Sequence, residues 1–185
     1  WSTPLQHPAK TLFYVDLMDS RKPHLLTEVT NNLGATTTIT YASSTKYYLE
    51  DKKAGVRWLT RLPFPVQVVE RMERSDAISG GKLVSRYRYR HGYYDGAERE
   101  FRGFARVDQW DAEDFAEEGT DPLLYQPPVH TISWYHTGAW LEKTRLEIAL
   151  QEEYFDLGPP ELLLKDTILP GNLSVQDERE AARAL

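Results

Sequence analysis

The chain has 185 residues, a net charge of −6 and no cysteine, and 41% of its residues are hydrophobic. This composition is too apolar for a disordered protein and fits one domain, or one substantial piece of a larger protein. The negative charge disfavours binding to nucleic acid or anionic lipid, and the lack of cysteine excludes disulfides, thiolate metal sites and thiol nucleophiles. An aromatic content of 12% favours β structure.

Segments that favour β structure occupy most of the chain. Residues 12–15, 25–29, 36–41 and 58–62 predict short strands, and Asn31-Asn32-Leu33-Gly34 predicts a turn between the second and third. A meander is predicted next, with strands at 66–76, 82–91 and 97–110 and turns at 79–81 and 92–96. The acidic stretch 111–121 predicts a solvated loop, and 129–135 predicts a further strand.

The last part of the chain changes to helical patterns. Leu141, Ile148 and Phe155 recur every seven residues, which indicates one face of a helix. Ser174 followed by Asp177 forms an acidic variant of the capping box in front of a helix-favouring segment. We therefore predict a mainly β fold of antiparallel hairpins and a meander, with one or two C-terminal α-helices.

We expect three parts: residues 1–24 as an N-terminal linker or strand piece, 25–138 as an antiparallel sheet, and 139–185 as a helical segment. The first residue is Trp1 rather than Met, and the last helical pattern runs to Leu185 without a stop signal. Both features predict a fragment of a longer chain. No signal peptide is visible at the first residue, and no apolar run approaches the ~18 residues that span a bilayer.

The most distinctive segment, residues 83–104, alternates basic and aromatic side chains and predicts a long hairpin. With a turn centred near Tyr94, Arg90 is predicted to lie opposite Glu98 and Arg88 opposite Glu100. Such opposite charges would fix the register of the two strands. The predicted hairpin residues are Arg88, Arg90, Tyr93, Tyr94, Asp95, Gly96, Glu98, Glu100, Phe101, Gly103 and Phe104.

Two binding functions compete with a purely structural role for this hairpin. Arginines on phosphates and rings on bases would bind nucleic acid, but the nearby acidic residues and the net charge disfavour it. A glycan-binding or surface adhesion module would place at least two rings in an exposed, coplanar cleft, drawn from Tyr87, Tyr89, Tyr93 and Tyr94. Packing of these rings inside a large sheet is the favoured interpretation.

Candidate catalytic and metal-binding residues form no recognised pattern. His130 and His136 would share one face of a strand near Glu142, but their spacing matches no known metal motif. The sequence has no G-x-S-x-G elbow, and no phosphate-loop or dinucleotide glycine pattern. We therefore expect no catalytic residue, no cofactor, no metal and no enzymatic activity.

Residues 87–96, YRYRHGYYDG, and 98–104, EREFRGF, resemble the middle region of the B component of bacterial insecticidal toxin complexes and the related virulence-plasmid B proteins. The similarity extends to residues 63–70, 127–129, 134–138 and 177–185, in the order of that family. Ala105 departs from the pattern, in which a third glycine is expected after Phe104.

The resemblance implies a structural role. In that family this region adjoins a tyrosine–aspartate (RHS-type) repeat shell, in which a long β-sheet encloses a cytotoxic polypeptide supplied by the C component. A β-propeller elsewhere in the B protein gates the translocation channel of the A component. The chain is therefore expected to be a scaffold segment of a secreted or cell-surface toxin complex, with the C and A components as partners. Neither nucleic acid binding nor direct membrane insertion is expected.

Overall fold

The computed structural model describes residues 22–113, 127–154 and 168–184. They form a six-stranded antiparallel sheet in which each strand pairs with the next along the chain. The strands are β1 (Glu28–Thr30), β2 (Ala35–Ser43), β3 (Gln67–Asp76), β4 (Lys82–Asp95), β5 (Glu100–Glu113) and β6 (Val129–Trp134). The helices are α1 (Ser44–Lys53), α2 (Lys143–Glu153) and α3 (Val175–Ala184). The predicted mainly β class is confirmed, and no helix of these described residues is long and apolar enough to cross a membrane.

Most predicted strands are present, and one is wrong. Residues 58–62 form bends and irregular structure instead of a strand. Their polar groups bond to β4 through side chains: the Leu59 N–H donates to His91 Nδ1 and the Thr60 hydroxyl donates to the Gly92 carbonyl. Residues 111–113 extend β5 rather than starting a loop. The predicted strand at 12–15 and the rest of the acidic stretch lie outside the described residues.

Helix α1 has no counterpart among the predicted elements. It starts behind Ser43, whose backbone is extended and whose hydroxyl accepts a hydrogen bond from the Thr45 N–H at 3.3 Å. Its buried residues follow helical spacing but include two polar side chains, so they form no apolar stripe. They are Ser44, Tyr47 and Asp51.

The sheet divides beside α1, and this division creates the core. The ladder between β3 and β4 ends at Arg71 opposite Arg86, whereas β4 and β5 continue to Asp95 opposite Glu100. Beyond that point the side of β4 that β3 leaves is covered by α1 and by the segment of residues 54–66. The buried core joins α1, this segment, β3 and β5 through Tyr47, Trp58, Val68 and Phe104.

The hairpin of β4 and β5 has a different register from the predicted one. Arg90 lies opposite Arg106, and Arg88 lies opposite Asp108. The predicted cross-strand pairs of these two arginines with Glu98 and Glu100 are therefore wrong. Residues 92–95, predicted as a turn, belong to β4, and the ladder shifts by one residue between Gly92 and Tyr94.

Asp95 explains where the chain turns. Its Oδ1 accepts hydrogen bonds from the Ala97 and Glu98 N–H groups at 2.9 and 3.1 Å. This side chain substitutes for a backbone acceptor, as in an Asx turn, and Arg99 takes a positive φ of 59° before β5 begins. The turn therefore follows Asp95 and not the glycine at 92.

Helix α2 buries a different face from the one predicted. Its buried residue is Leu146, whereas Leu141 precedes the helix and is 81% exposed, and Ile148 is 55% exposed. The seven-residue seam is therefore wrong for the two members that the structure describes. Phe155 lies outside the described residues.

The capping box of α3 is confirmed. The Asp177 N–H donates to Ser174 Oγ at 3.2 Å, and the Ser174 N–H donates to Asp177 Oδ2 at 3.3 Å.

We expect Ser174→Ala to destabilise this helix by about 1 kcal/mol, because the replacement removes the oxygen that satisfies a first-turn N–H. Hydrogen exchange of the α3 amides measures the effect. Ser174→Thr retains the oxygen and should exchange close to the wild-type rate. Equal rates in the Ala and Thr variants would contradict the capping role.

Candidate functional site

The predicted hairpin residues contact different parts of the fold. Arg88 and Arg90 reach α1, and Asp95 and Glu98 reach α3. Phe101 and Phe104 pack against each other in the core, with ring centroids 5.5 Å apart. Gly96 and Glu100 are exposed, and Gly103 has a positive φ of 91°. The hairpin thus contacts three other parts of the chain.

Three polar groups connect the hairpin to the helices, and the first is centred on Asp51 of α1, which is 1% exposed. Its carboxylate accepts a hydrogen bond from the Trp58 indole at 2.8 Å and from Arg88 Nη2 at 2.5 Å. Arg90 adds bonds from Nε at 3.2 Å and Nη2 at 3.3 Å. Arg88 also bonds Glu50 at 3.1 Å. One buried anion therefore fixes two hairpin cations and the core tryptophan to α1.

The ionisation of Asp51 follows from these contacts. Burial opposes the charged form and would by itself raise the pKa. Hydrogen bonds from Trp58 and Arg88 and the charge of Arg90 outweigh burial, so the pKa lies below its usual value. The carboxylate is therefore held as an anion that orients its neighbours.

The second group begins at His91, which is 1% exposed. Its Nδ1 accepts the Leu59 N–H at 3.1 Å, and its Nε2 lies 3.1 Å from both carboxylate oxygens of Glu153. Arg106 Nη1 lies 3.5 Å from the same carboxylate. The His91 hydrogen bond lowers the pKa of Glu153 most, against a burial effect that raises it, and the charges of Arg106 and Arg90 lower it further.

This group continues across β5 to β6. Arg106 forms a two-bond contact with Asp108, with both N···O distances 3.0 Å, and Asp108 lies 3.0 Å from His130 Nε2. His130 stacks on Trp110 at a centroid distance of 4.5 Å and an angle of 8°. A chain of hydrogen bonds and ion pairs therefore connects α2 to three strands.

The third group joins the hairpin tip to α3. Arg183 donates to Asp95 at 3.1 Å and to Glu98 at 2.6 Å, and its carbonyl accepts a bond from Arg102 at 3.0 Å. Burial raises the pKa of Asp95, but bonds from the turn N–H groups and the charge of Arg183 outweigh it and lower the pKa. The carboxylate that forms the turn therefore also anchors α3.

The histidines considered for a metal site are used in separate contacts. His130 faces Asp108, whereas His136 Nδ1 accepts the Gly138 N–H at 3.2 Å. Glu142 pairs with Arg145. Within the described ranges, no group of three or more His, Asp or Glu side chains has a geometry that could hold a metal ion.

The four tyrosines of the glycan-binding alternative are all partly buried. Tyr89 packs on Tyr47 and Phe104, and Tyr94 packs edge-on against Phe64 at 5.2 Å. Tyr87 alone of the four borders a shallow depression of about 410 Å³. The four rings therefore do not supply two exposed, coplanar members of a cleft.

Acid should unfold the protein through these carboxylates. The folded-state pKa values of Asp51, Asp95 and Glu153 are all lowered. Their ionised forms therefore stabilise the fold fully above the unfolded-state pKa of about 4, and this stabilisation is lost as the pH falls through the lower folded-state values. We expect the urea midpoint to fall steeply below about pH 4. A midpoint that stays constant down to pH 2.5 would contradict this linkage.

Two of three comparisons match the chain to known proteins. A family model described as the insecticide toxin TcdB middle/N-terminal region matches residues 6–138. A crystal structure of TcdB2–TccC3 is 41% identical with a TM-score of 0.62, and a TcdB2–TccC3–Cdc42 crystal structure is 40% identical with the same score. A Photorhabdus luminescens Tc holotoxin pore is 41% identical, also with a TM-score of 0.62. No curated protein sequence matches the chain.

Each structural match covers 71% of this chain and 6% of the matched chain. The chain therefore spans a small part of the length of these relatives. The resemblance predicted from residues 87–104 is confirmed by both the family match and the structural matches.

Proposed function

The chain belongs to the family of the insecticide toxin TcdB middle/N-terminal region, and from this membership we propose that it is a non-catalytic wall segment of a toxin-complex B component. In the full-length protein, the segment contributes to a hollow β-shell that encloses a cytotoxic polypeptide until it is translocated into a host cell. The assembled complex is secreted or displayed at the cell surface.

The use of the hairpin residues carries this proposal. The hairpin directs its arginines to α1, its turn aspartate to α3 and its phenylalanines to the core. These side chains connect parts of the fold to one another instead of converging on an open cleft. A wall segment needs this kind of internal connection, because it must keep its shape around a cargo.

The edges of the sheet also suit a wall. Within the described residues, β1 and β6 are the edge strands, and each pairs on one side only. Unpaired strand edges favour pairing with further strands. The sheet can therefore continue on both sides, as a shell requires.

The proposed partners are the C component, which completes the shell, and the A component, which provides the channel. The matches to TcdB2–TccC3 and to a Tc holotoxin pore support both assignments. The partly buried tyrosines give no support to the glycan-binding alternative.

Labelling of the two sheet faces tests whether one face of this segment lines a closed interior. Arg74 of β3 lies directly opposite Leu83 of β4, so these two side chains are on the same face of the sheet. Arg86 lies three residues after Leu83, so the alternation of side chains along β4 places it on the other face. Both arginines are exposed. The chain has no cysteine, so Arg74→Cys and Arg86→Cys each provide a single thiol in this segment. The variants are made in the full-length protein with cysteines elsewhere replaced.

A bulky polyethylene-glycol maleimide should label both sites in the isolated 185-residue chain. In the full-length protein assembled with its C component, it should label only one site, because the other faces the closed interior. A small maleimide serves as the control for thiol reactivity. Equal labelling of both sites by the bulky reagent in the closed assembly would overturn the proposal.

A further inference from the structure

His91 occupies an unusual position for a buried histidine. It lies within β4 but has a positive φ of 57°, in the left-handed region that residues other than glycine rarely adopt. Its ring is directed between the segment of residues 54–66 and α2, where it contacts Leu59 and Glu153. Backbone strain of this kind persists only where the surrounding contacts hold the residue in place.

The hydrogen bonds assign the proton on this ring. Nδ1 accepts the Leu59 N–H at 3.1 Å, so it carries no hydrogen itself. Nε2 faces the carboxylate of Glu153, with both oxygens at 3.1 Å, so it is the nitrogen that carries the hydrogen. The structure therefore requires the neutral ring with one proton on Nε2.

We propose that His91 is a proton-sensitive latch that holds the segment of residues 54–66 against β4. A second proton on Nδ1 converts this nitrogen from an acceptor into a donor, so it can no longer bind the Leu59 N–H. The bond from Nε2 to Glu153 is retained and gains opposite charges. Protonation therefore releases the segment at Leu59 while α2 stays attached.

Charged groups from several elements lie around the ring. Glu153 of α2 faces Nε2, and Arg106 of β5 bonds the same carboxylate. Arg90 of β4 precedes His91 in the same strand. Asp51 of α1 bonds Trp58, whose ring lies edge-on to His91 at 6.4 Å, and its charge is paired with Arg88 and Arg90. On the segment itself, the Leu59 carbonyl accepts a bond from Arg145 at 3.2 Å.

Two other bonds of the segment involve no titrating group. The Thr60 hydroxyl donates to the Gly92 carbonyl at 2.7 Å, and the Val66 N–H donates to Ser44 Oγ at 3.0 Å. The release is therefore local to Leu59, and Val66 provides an internal reference on the same segment.

Amide hydrogen exchange of the 185-residue chain tests the latch between pH 8 and pH 5. Protection factors corrected for intrinsic exchange should fall about tenfold or more at Leu59 as the pH decreases, because the amide loses its acceptor, while Val66 keeps its protection. Nitrogen-15 spectra of the imidazole should show Nδ1 without a hydrogen at pH 8. A Leu59 protection factor that parallels Val66, or a hydrogen on Nδ1 at pH 8, would overturn the proposal.

Two variants separate the latch from general acid effects. Glu153→Gln keeps an acceptor for Nε2 but removes the negative charge, so the loss of Leu59 protection should shift to lower pH. His136→Gln removes an exposed histidine whose Nδ1 accepts the Gly138 N–H, outside the group around His91, so the response should stay unchanged. An unshifted response in Glu153→Gln, or a response abolished by His136→Gln, would contradict the assignment to His91.

Discussion

Asp51→Asn should lower the free energy of unfolding by about 3 kcal/mol, although the replacement changes the side-chain volume very little. The amide has no charge to balance Arg88 and Arg90, which would then remain partly buried beside α1 without their shared anion. The expected loss lies at the lower end of the range for a broken buried ion pair. Both guanidinium groups keep some contact with water, and Arg88 keeps its bond to Glu50. Urea denaturation at pH 7 measures the difference.

Glu50→Gln is the matched control, because it removes the neighbouring carboxylate of the same helix from the same arginine. The Glu50 side chain is 43% exposed, whereas that of Asp51 is 1% exposed. Exposed ion pairs contribute at most about 1 kcal/mol, so the control should be close to wild type. If the two variants were equally stable, Asp51 would not be the anchor of α1 on the hairpin.

The meander could be predicted because its signals are local. Alternating side chains and turn-forming residues mark β2, β3, β4 and β6 within a few positions of their observed bounds. The capping pattern at Ser174 likewise depends on residues only three positions apart. Local patterns of this kind do not require knowledge of the tertiary fold.

Helix α1 could not be predicted in the same way. Its buried face includes Ser44 and Asp51, and each is accommodated by a partner far away in the sequence. Ser44 Oγ accepts the N–H of Val66, and Asp51 binds hairpin arginines 37 and 39 residues further along. A search for apolar periodicity passes over a helix whose buried positions are polar.

The predicted register of the hairpin was wrong for a related reason. Sequence spacing offers Arg88 and Arg90 acidic partners within the hairpin, but the folded chain supplies a buried one on α1. Glu98 is likewise used by Arg183, which is 85 residues away along the chain. Glu153 is separated from His91 by 62 residues, and no short motif connects them. The candidate site therefore consists of contacts that spacing alone cannot reveal.

These long-range pairs give the family resemblance a physical meaning. The hairpin contacts α1 through Arg88, α2 through His91 and α3 through Asp95. Because each of these side chains bonds to a different helix, a change at any of them should disturb the packing or the charge balance. The hairpin in which the family resemblance is visible is therefore also the segment that contacts all three helices.

Gly92→Ala should lower the free energy of unfolding by about 2 kcal/mol, because a methyl group has no room at this position. A Cβ would lie 2.5 Å from Leu62 Cδ1, 2.9 Å from Leu62 Cγ and 2.9 Å from Phe104 Cε1. Leu62 can move, but the Phe104 ring belongs to the buried core and packs against Trp58 and Tyr89. The segment of residues 54–66 would have to shift away from β4.

Gly96→Ala provides the control on the same hairpin, because a Cβ at position 96 meets no atom within 4 Å. This variant should unfold at the wild-type urea concentration. Gly92→Ala combined with Leu62→Ala should be less destabilised than the sum of the single changes, since the smaller side chain relieves part of the overlap. Additive losses, or equal losses at Gly92 and Gly96, would contradict the steric explanation.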